Sequence, residues 1–417
     1  MRDLLKQALR FPFLFFIRMA SVIWPSSPKH IALSAWWGTL YSDNPKYLFL
    51  YLANRSDLHF HWIGDKGLAD KLPQFSNTDF SEKGSIRAFL NILSSKYVIC
   101  THAYFLDFSS LPMFSRKLCL NVWHGIPVKF FGNGLRSHDE SKTAQRLIVD
   151  SLYKWLTKPP FQIVTPVASK RMAELCSMQN NNNFGEFLPV GTPRNDFLVN
   201  NRNNSSLLSE LRHKYANMLG FDADKKIILY MPTFRSSGKN VFAFYELEEP
   251  KLSFFKVMTH EHNAVLIEKH HWMTYVQHPL VHQSDATIAI TKDQQTEVDV
   301  QELLLITDIL ICDYSSAYID FGLLERPCIH FTYDLEEYAK KDSGLAYDIE
   351  QVAAGPIVRT FSELLDKLSE LLSTPVFQPA PHFHDLIEYE TGHACEQLAR
   401  FMGIKVGEGA IKKDYRQ

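Results

Sequence analysis

Short apolar runs alternate along the chain with longer stretches whose apolar positions recur at helical spacing. In the first half the runs His30–Ser34, His59–Ile63, Tyr97–Thr101, Leu118–Val122, Ile163–Pro166 and Phe187–Val190 predict strands. In the second half the runs Lys226–Met231, Ala264–Glu268, Ala286–Ile290, Asp308–Cys312 and Cys328–Phe331 do the same. Helix signals lie between them. Ser42-Asp43-Asn44-Pro45 offers polar caps and a first-turn proline ahead of Lys46–Leu52, and Ser169 precedes Lys170–Met178 in the same way. The polar stretch Asn200–Ser206 and the helical pattern Leu207–Leu219 mark the join of two halves, and helices Ser362–Leu372 and His384–Phe401 are expected to close the chain. Alternating strands and helices predict α/β architecture with parallel sheets. Two such halves imply a cleft, with ligands outside the carboxyl ends of the strands.

The chain has 417 residues, enough for two domains at roughly 100–200 residues each. Hydrophobic residues make up 46% and aromatic residues 13%, ample for large cores. A net charge of −2 argues against a nucleic-acid partner. None of the six cysteines falls in a CxxC pair, so buried reduced thiols are expected. No Cys/His cluster has zinc spacing along the sequence, and no metal is expected. Asp222-Ala223-Asp224 resembles a metal-binding DxD, but it sits in a turn after Gly220 and reads as a solvated loop. At the start, Arg2, Lys6, Arg10 and Arg18 interleave with Phe and Leu, and the apolar stretch is too short to span a bilayer. Residues 1–28 read either as an interfacial amphipathic segment or as a helix packed on its own domain.

Three strand ends carry chemistry. Asn121-Val122-Trp123-His124-Gly125-Ile126-Pro127-Val128-Lys129 puts His124 in a loop at a strand tip, where an imidazole takes a proton from an attacking hydroxyl or is simply satisfied in a turn. Gly125 lets a ligand approach the backbone. Tyr230-Met231-Pro232-Thr233-Phe234-Arg235 presents Arg235 either as a planar fork for phosphate or as a surface cation. Ile311-Cys312-Asp313-Tyr314-Ser315-Ser316, ahead of a helix over Ala317–Leu324, offers hydroxyls and backbone amides to an anion or caps the helix.

Together these segments resemble the CDP-glycerol glycerophosphotransferase family of teichoic acid primases and polymerases. The resemblance rests on an ordered set: Trp123-His124-Gly125 with Pro127 and Lys129; Gly191-Thr192-Pro193-Arg194-Asn195-Asp196; Pro232–Arg235; Asp313–Ser316; Asp320-Phe321-Gly322; Arg326-Pro327; and Tyr333-Asp334-Leu335-Glu336-Glu337-Tyr338. It implies a GT-B-like fold of two Rossmann-like domains, an acceptor domain over 29–203 and a CDP-donor domain over 204–417. It implies His124 and His270 as catalytic groups, with Gly125, Lys129, Arg194, Thr233, Arg235, Asp313, Ser315 and Ser316 around the substrate. Two positions depart from the family pattern. Glu268 stands where the strand ending in His270 usually carries a cation, with His278-Pro279 as an alternative counterpart, and Ser343-Gly344 replaces an Arg-Gly pair.

The expected reaction moves glycerol phosphate, or a related polyol phosphate, from a CDP-linked donor to a hydroxyl of a lipid-linked or surface-glycan acceptor, releasing CMP. No cofactor beyond that donor is implied. The resemblance implies peripheral attachment at the cytoplasmic face of the membrane. The rival expectations are a sugar transferase on the same architecture and a non-catalytic assembly partner.

Overall fold

The computed structural model describes every residue except 1–11, 13–14, 18, 20, 22, 54–56, 109–116, 131–161, 180–183, 234, 236–241, 271–285, 292, 342–343 and 406–417. His278, Pro279, Ser343 and the basic residues of the N-terminal segment therefore lie outside the described residues.

The strands are β1 (Ser27–Leu33), β2 (His59–Gly64), β3 (Thr78–Glu82), β4 (Ser95–Cys100), β5 (Leu118–Asn121), β6 (Gln162–Val167), β7 (Glu186–Pro189), β8 (Lys226–Met231), β9 (Ala264–Glu268), β10 (Thr287–Ala289), β11 (Ile309–Cys312), β12 (Cys328–Phe331) and β13 (Ile357–Val358). They form two sheets. The first has seven strands in the order β3-β2-β1-β4-β5-β6-β7, and the second has six in the order β10-β9-β8-β11-β12-β13. Every pairing between these strands is parallel. Each sheet reverses its winding once, between β1 and β4 and between β8 and β11, and such a switch point opens a crevice at the carboxyl ends. Both crevices are occupied by the motif residues.

The apolar runs become strands because helices cover them on both faces. Ile31, Leu33, Phe60, Trp62, Ile99 and Leu120 fill one face of the first sheet, while Ala32, Ile63, Val98 and Cys119 fill the other. In the second sheet Ile227, Leu229, Val265 and Leu310 face one way and Ile228, Tyr230, Leu266 and Ile311 the other. The first of those second-sheet clusters also takes in Tyr47, Ile126, Val128 and Phe197, so one apolar body joins the halves.

Two short strands, β3 and β13, escape the sequence pattern because each sits at a sheet edge and is mostly half-buried or polar. The expected helix over His384–Phe401 is a 3-10 turn at His384–Leu386 and a separate helix at Ala394–Phe401. Gly392 interrupts it with φ +80°, and Glu390 is drawn aside to bond Thr192. The terminal helix packs back on the first half, where Cys395, Leu398 and Ala399 join the cluster of Leu48 and Leu52. All six cysteines are free and buried.

Candidate active site

The loop after β5 carries His124. Its backbone is fixed by three hydrogen bonds from two side chains. Asn44 Nδ2 donates to the carbonyls of Val122 at 2.9 Å and Trp123 at 3.1 Å, and Arg194 Nη1 donates to that of His124 at 3.1 Å. Trp123 takes φ +54° and Gly125 φ +139°, so the turn presses the backbone into conformations that an ordinary residue resists. His124 Nδ1 lies 3.4 Å from the Thr101 carbonyl. With Nδ1–H donating there, Nε2 is the basic nitrogen.

His124 does not stand alone. Its ring stacks on His102 at 4.1 Å and 18°, and Trp36 lies 5.2 Å away. His102 follows β4 as His124 follows β5. Burial pushes His102 below the ordinary imidazole range, against the pull of Asp107 and Asp43. Asp107 is fully buried and accepts from the backbone amides of Trp37, Thr101 and His102. Trp36 and Trp37 both hold positive φ, and Trp36 Nε1 donates to Asp43 Oδ2 at 3.0 Å. These residues ring the switch point of the first sheet. The signal for His102 is in the sequence, since it too ends an apolar run. Asn44 and Asp107 act through backbone groups, and Asp43 through the side chains of Trp36 and Arg194, contacts that no spacing displays.

Arg194 is buried at the seam of the two halves. It holds Asp43 at 2.9 Å and Asp320 at 2.5 Å. Burial opposes its charge, but Asp320 and Asp43 outweigh this and hold the guanidinium above its ordinary value. Its neighbours complete the joint. Asn195 Nδ2 donates to Asp320 and Glu390, and Asp196 accepts the amides of Ala394 and Cys395. Arg194 is thus a tie between halves and a support for the His124 loop.

Arg235 also differs from the sequence expectation of a fork open to phosphate. It is 5% exposed and makes four hydrogen bonds: to Asp334 Oδ2 and Oδ1, to Asp313 Oδ2 and to the Thr233 carbonyl. Tyr314 and Tyr338 lie against its plane at 5.2 and 4.7 Å. Two carboxylates fill the fork because the loops after β8, β11 and β12 converge there. Asp313, expected at the substrate, instead accepts the Thr233 amide and clamps the same loops.

Thr233 Oγ1 is buried and has no hydrogen-bond partner among the described residues, although its amide is held by Asp313. Ser315 Oγ accepts weakly from Ala317 N at 3.4 Å, while Ser316, at the helix start, makes no side-chain cap bond. A Cβ built on Gly125 would stand 3.2 Å from Ser316 Oγ and 3.0 Å from Arg194 Nη2. The His124 loop therefore meets the hydroxyl pair of the second sheet across a contact that only glycine permits. Lys129 pairs with Leu345 in an isolated bridge, and its ammonium lies 5.6 Å from the Tyr338 ring.

His270 follows β9 and is 4% exposed, with Nε2 2.6 Å from Glu268 Oε1. Glu268 also accepts the Phe244 amide. The departure at Glu268 thus gives His270 a carboxylate that orients its ring. Beside it Lys269 is buried, and burial, against the attraction of Asp299, lowers its ammonium to about 8. In the sequence Lys269 has no spacing that sets it apart from a surface lysine, and only its burial does so.

Two Rossmann-like sheets turning their carboxyl ends to one seam define a GT-B-like transferase. The fold matches that of the wall teichoic acid polymerase TagF, with a TM-score of 0.71 at 21% identity over 97% of this chain and 98% of that one. Residues 16–400 match the family model described as CDP-Glycerol:Poly(glycerophosphate) glycerophosphotransferase, and the chain belongs to that family. It is 28% identical to a teichoic acid poly(glycerol phosphate) polymerase of Bacillus spizizenii, over 90% of this chain and 92% of that protein. It is likewise 28% identical to a teichoic acid glycerol-phosphate transferase of Staphylococcus aureus, over 82% and 84%. A teichoic acid ribitol-phosphate primase of B. spizizenii is 23% identical over 83% and 88%.

Proposed function

We propose that this enzyme transfers glycerol phosphate, or a closely related polyol phosphate, from its CDP ester to a hydroxyl of a lipid-linked or glycan acceptor in cell-wall polymer synthesis. The observation that carries the reading is the meeting of His124-Gly125 with Ser316 at the seam. A proton acceptor and phosphate-binding hydroxyls there belong to different sheets, as an acceptor and a donor nucleotide require.

In the reaction His124 Nε2 takes the proton of the acceptor hydroxyl. The oxygen attacks the phosphorus bearing the polyol, the bond from that phosphorus to the bridging oxygen breaks, and CMP leaves with the electron pair. Phosphoryl transfer of this kind rests on positioning and charge stabilisation. Thr233 Oγ1, Ser315 and Ser316 supply hydroxyls to the phosphates, and Lys269 supplies a cation held ready by burial. Gly125 keeps the approach open and Lys129 flanks it. Arg194, Arg235 and Asp313 hold this apparatus in place from behind. His270, oriented by Glu268, serves the phosphates or the leaving group. Attachment is peripheral, at the cytoplasmic face of the membrane.

The test is transfer from radiolabelled CDP-glycerol, CDP-ribitol and UDP-sugars to an acceptor, with wild type and His124→Ala. CDP-polyol donors are expected to react, and the variant to lose roughly 10²–10⁴-fold in turnover while melting like wild type. Transfer from UDP-sugars alone, or near-normal turnover by the variant, overturns the reading.

A further inference from the structure

Far from the seam, at the amino ends of the first sheet's strands, three histidines and an aspartate converge. His30 on β1 stands opposite His59 on β2, and His61 on β2 stands opposite Asp79 on β3. His59 Nε2 and His61 Nδ1 both lie 3.0 Å from one oxygen, Asp79 Oδ2. The ligand atoms of these three residues all fall within 4.8 Å of one another. We propose that His59, His61 and Asp79 form a structural binding site for a divalent transition metal of the zinc type, with His30 and Asn91 as its outer supports.

The geometry suits that ion. Ligand atoms about 2.0–2.2 Å from a tetrahedral zinc stand roughly 3.3 Å apart, so the two 3.0 Å contacts need open only by a few tenths of an ångström. The outer contacts follow the pattern of metal-binding imidazoles, whose second nitrogen is engaged by an acceptor. His61 Nε2 lies 2.9 Å from His30 Nδ1, which leaves His61 Nδ1 to face the ion. Asp79 Oδ1 accepts from Asn91 Nδ2 at 3.1 Å, which aims Oδ2 at the histidines. The His61 side chain is 5% exposed and that of His59 39%, so one ligand is locked in the sheet and the other opens the path of entry. One charge opposes a cation: Arg87 Nη2 is 3.9 Å from Asp79 Oδ2, but its side chain is 66% exposed and can turn to solvent. Imidazole with carboxylate favours zinc over magnesium or calcium.

The second cluster of such residues, Cys312, Cys328 and His330, is not a competitor. It is fully buried, and both ring nitrogens of His330 are used, by the Asp313 carbonyl at 3.2 Å and the Ala354 amide at 3.1 Å. The proposed site joins β2 to β3, and β3 is the edge strand of its sheet. An ion there would pin an edge strand that is paired along one side only. The sequence conceals the site because the His59-Phe60-His61 pair of β2 meets Asp79 only through the register of β2 with β3.

The experiment uses the full chain without a polyhistidine tag, stripped with chelator and titrated calorimetrically with zinc chloride. One ion per chain is expected. His59→Gln, at a half-buried position, and Asp79→Asn should each remove binding, and His30→Ala should weaken it about 10–100-fold. Cobalt(II), held by the three side chains with water as its fourth ligand, should give the strong visible absorption of a four-coordinate ion in wild type and not in His59→Gln. Zinc should also slow amide exchange across Thr78–Glu82. No uptake by wild type, uptake by His59→Gln equal to wild type, or unchanged exchange in β3 on binding would each overturn the proposal.

Discussion

At the residue scale, the charges of this seam divide into those already spent on structure and those kept for a ligand. Arg194 and Arg235 belong to the first kind, each held by two carboxylates. We assign Lys269 to the second. It is buried, and its ammonium makes no hydrogen bond among the described residues. Between about 8 and the ordinary lysine value the unfolded chain binds a proton that the folded chain does not, so over that window stability rises with pH and is lowest below it. Lys269→Met is therefore expected to raise the melting temperature at pH 7 and to flatten its rise between pH 8 and 10. Each pKa unit is worth about 1.4 kcal/mol, so the gain at pH 7 is a few kcal/mol. The same variant should weaken binding of CDP-glycerol by about 1.5–3 kcal/mol, the usual worth of a charge-assisted contact. Thermal melts across pH and a calorimetric titration check both halves. A lower melting temperature at pH 7 would show that the ammonium stabilises the fold and defeat the idea. The place of His124, in a loop past a strand end, was legible because glycine and proline break regular structure right after it. Arg235 misled because a cation at a strand end looks the same whether phosphate or two distant carboxylates await it.

At the scale of elements, the strands were legible wherever both faces are covered, since a buried parallel strand is a continuous apolar run. What escaped is whatever depends on a partner element. The helix Pro193–Asn201 reads from sequence as a binding motif, yet Arg194, Asn195 and Asp196 all face protein: Asp43 and Asp320, Glu390, and the start of the terminal helix. The contact between the His124 loop and the Ser316 turn gives the sharpest test at this scale. Gly125→Ala places a methyl 3.0 Å from Arg194 Nη2 and 3.2 Å from Ser316 Oγ, at a φ of +139°. The loop has to shift, and a displacement of about 1 Å at a reacting centre costs on the order of 10²-fold. Turnover is expected to fall by that order while the melting temperature drops only modestly, because the loop lies outside both sheets. A variant that keeps full turnover would show that the contact does not shape the reaction.

At the scale of the whole molecule, the proposed lipid-linked acceptor requires a surface that meets a bilayer. No described helix is long and apolar enough to cross a membrane. Among its described residues the N-terminal segment has one buried face and one exposed face. Ile17 and Ser21, four apart, are buried, and Ile17 joins the cluster of Ala88, Ile92 and Leu93. Phe16, Met19 and Ile23, at helical spacing, are exposed, Phe16 by 74% and Ile23 by 81%. Ile86, on the helix whose other face the segment covers, is 80% exposed. Removing residues 1–25 would strip Ile17 from the core and confound attachment with folding. The better variant is Phe16→Glu with Ile23→Glu, which alters only the outward face. Burying such a side chain is worth about 1.5–3 kcal/mol, so losing two should reduce partition to anionic vesicles by well over 10²-fold. Wild type is expected to float with the vesicles and to be partly released by salt, since each basic residue near the surface adds about 1 kcal/mol. The double variant should stay in the soluble fraction, melt like wild type and bind CDP-glycerol unchanged. If it floats as wild type does, the attachment lies on another face. If it fails to melt cooperatively, the outward residues serve the fold instead of the bilayer.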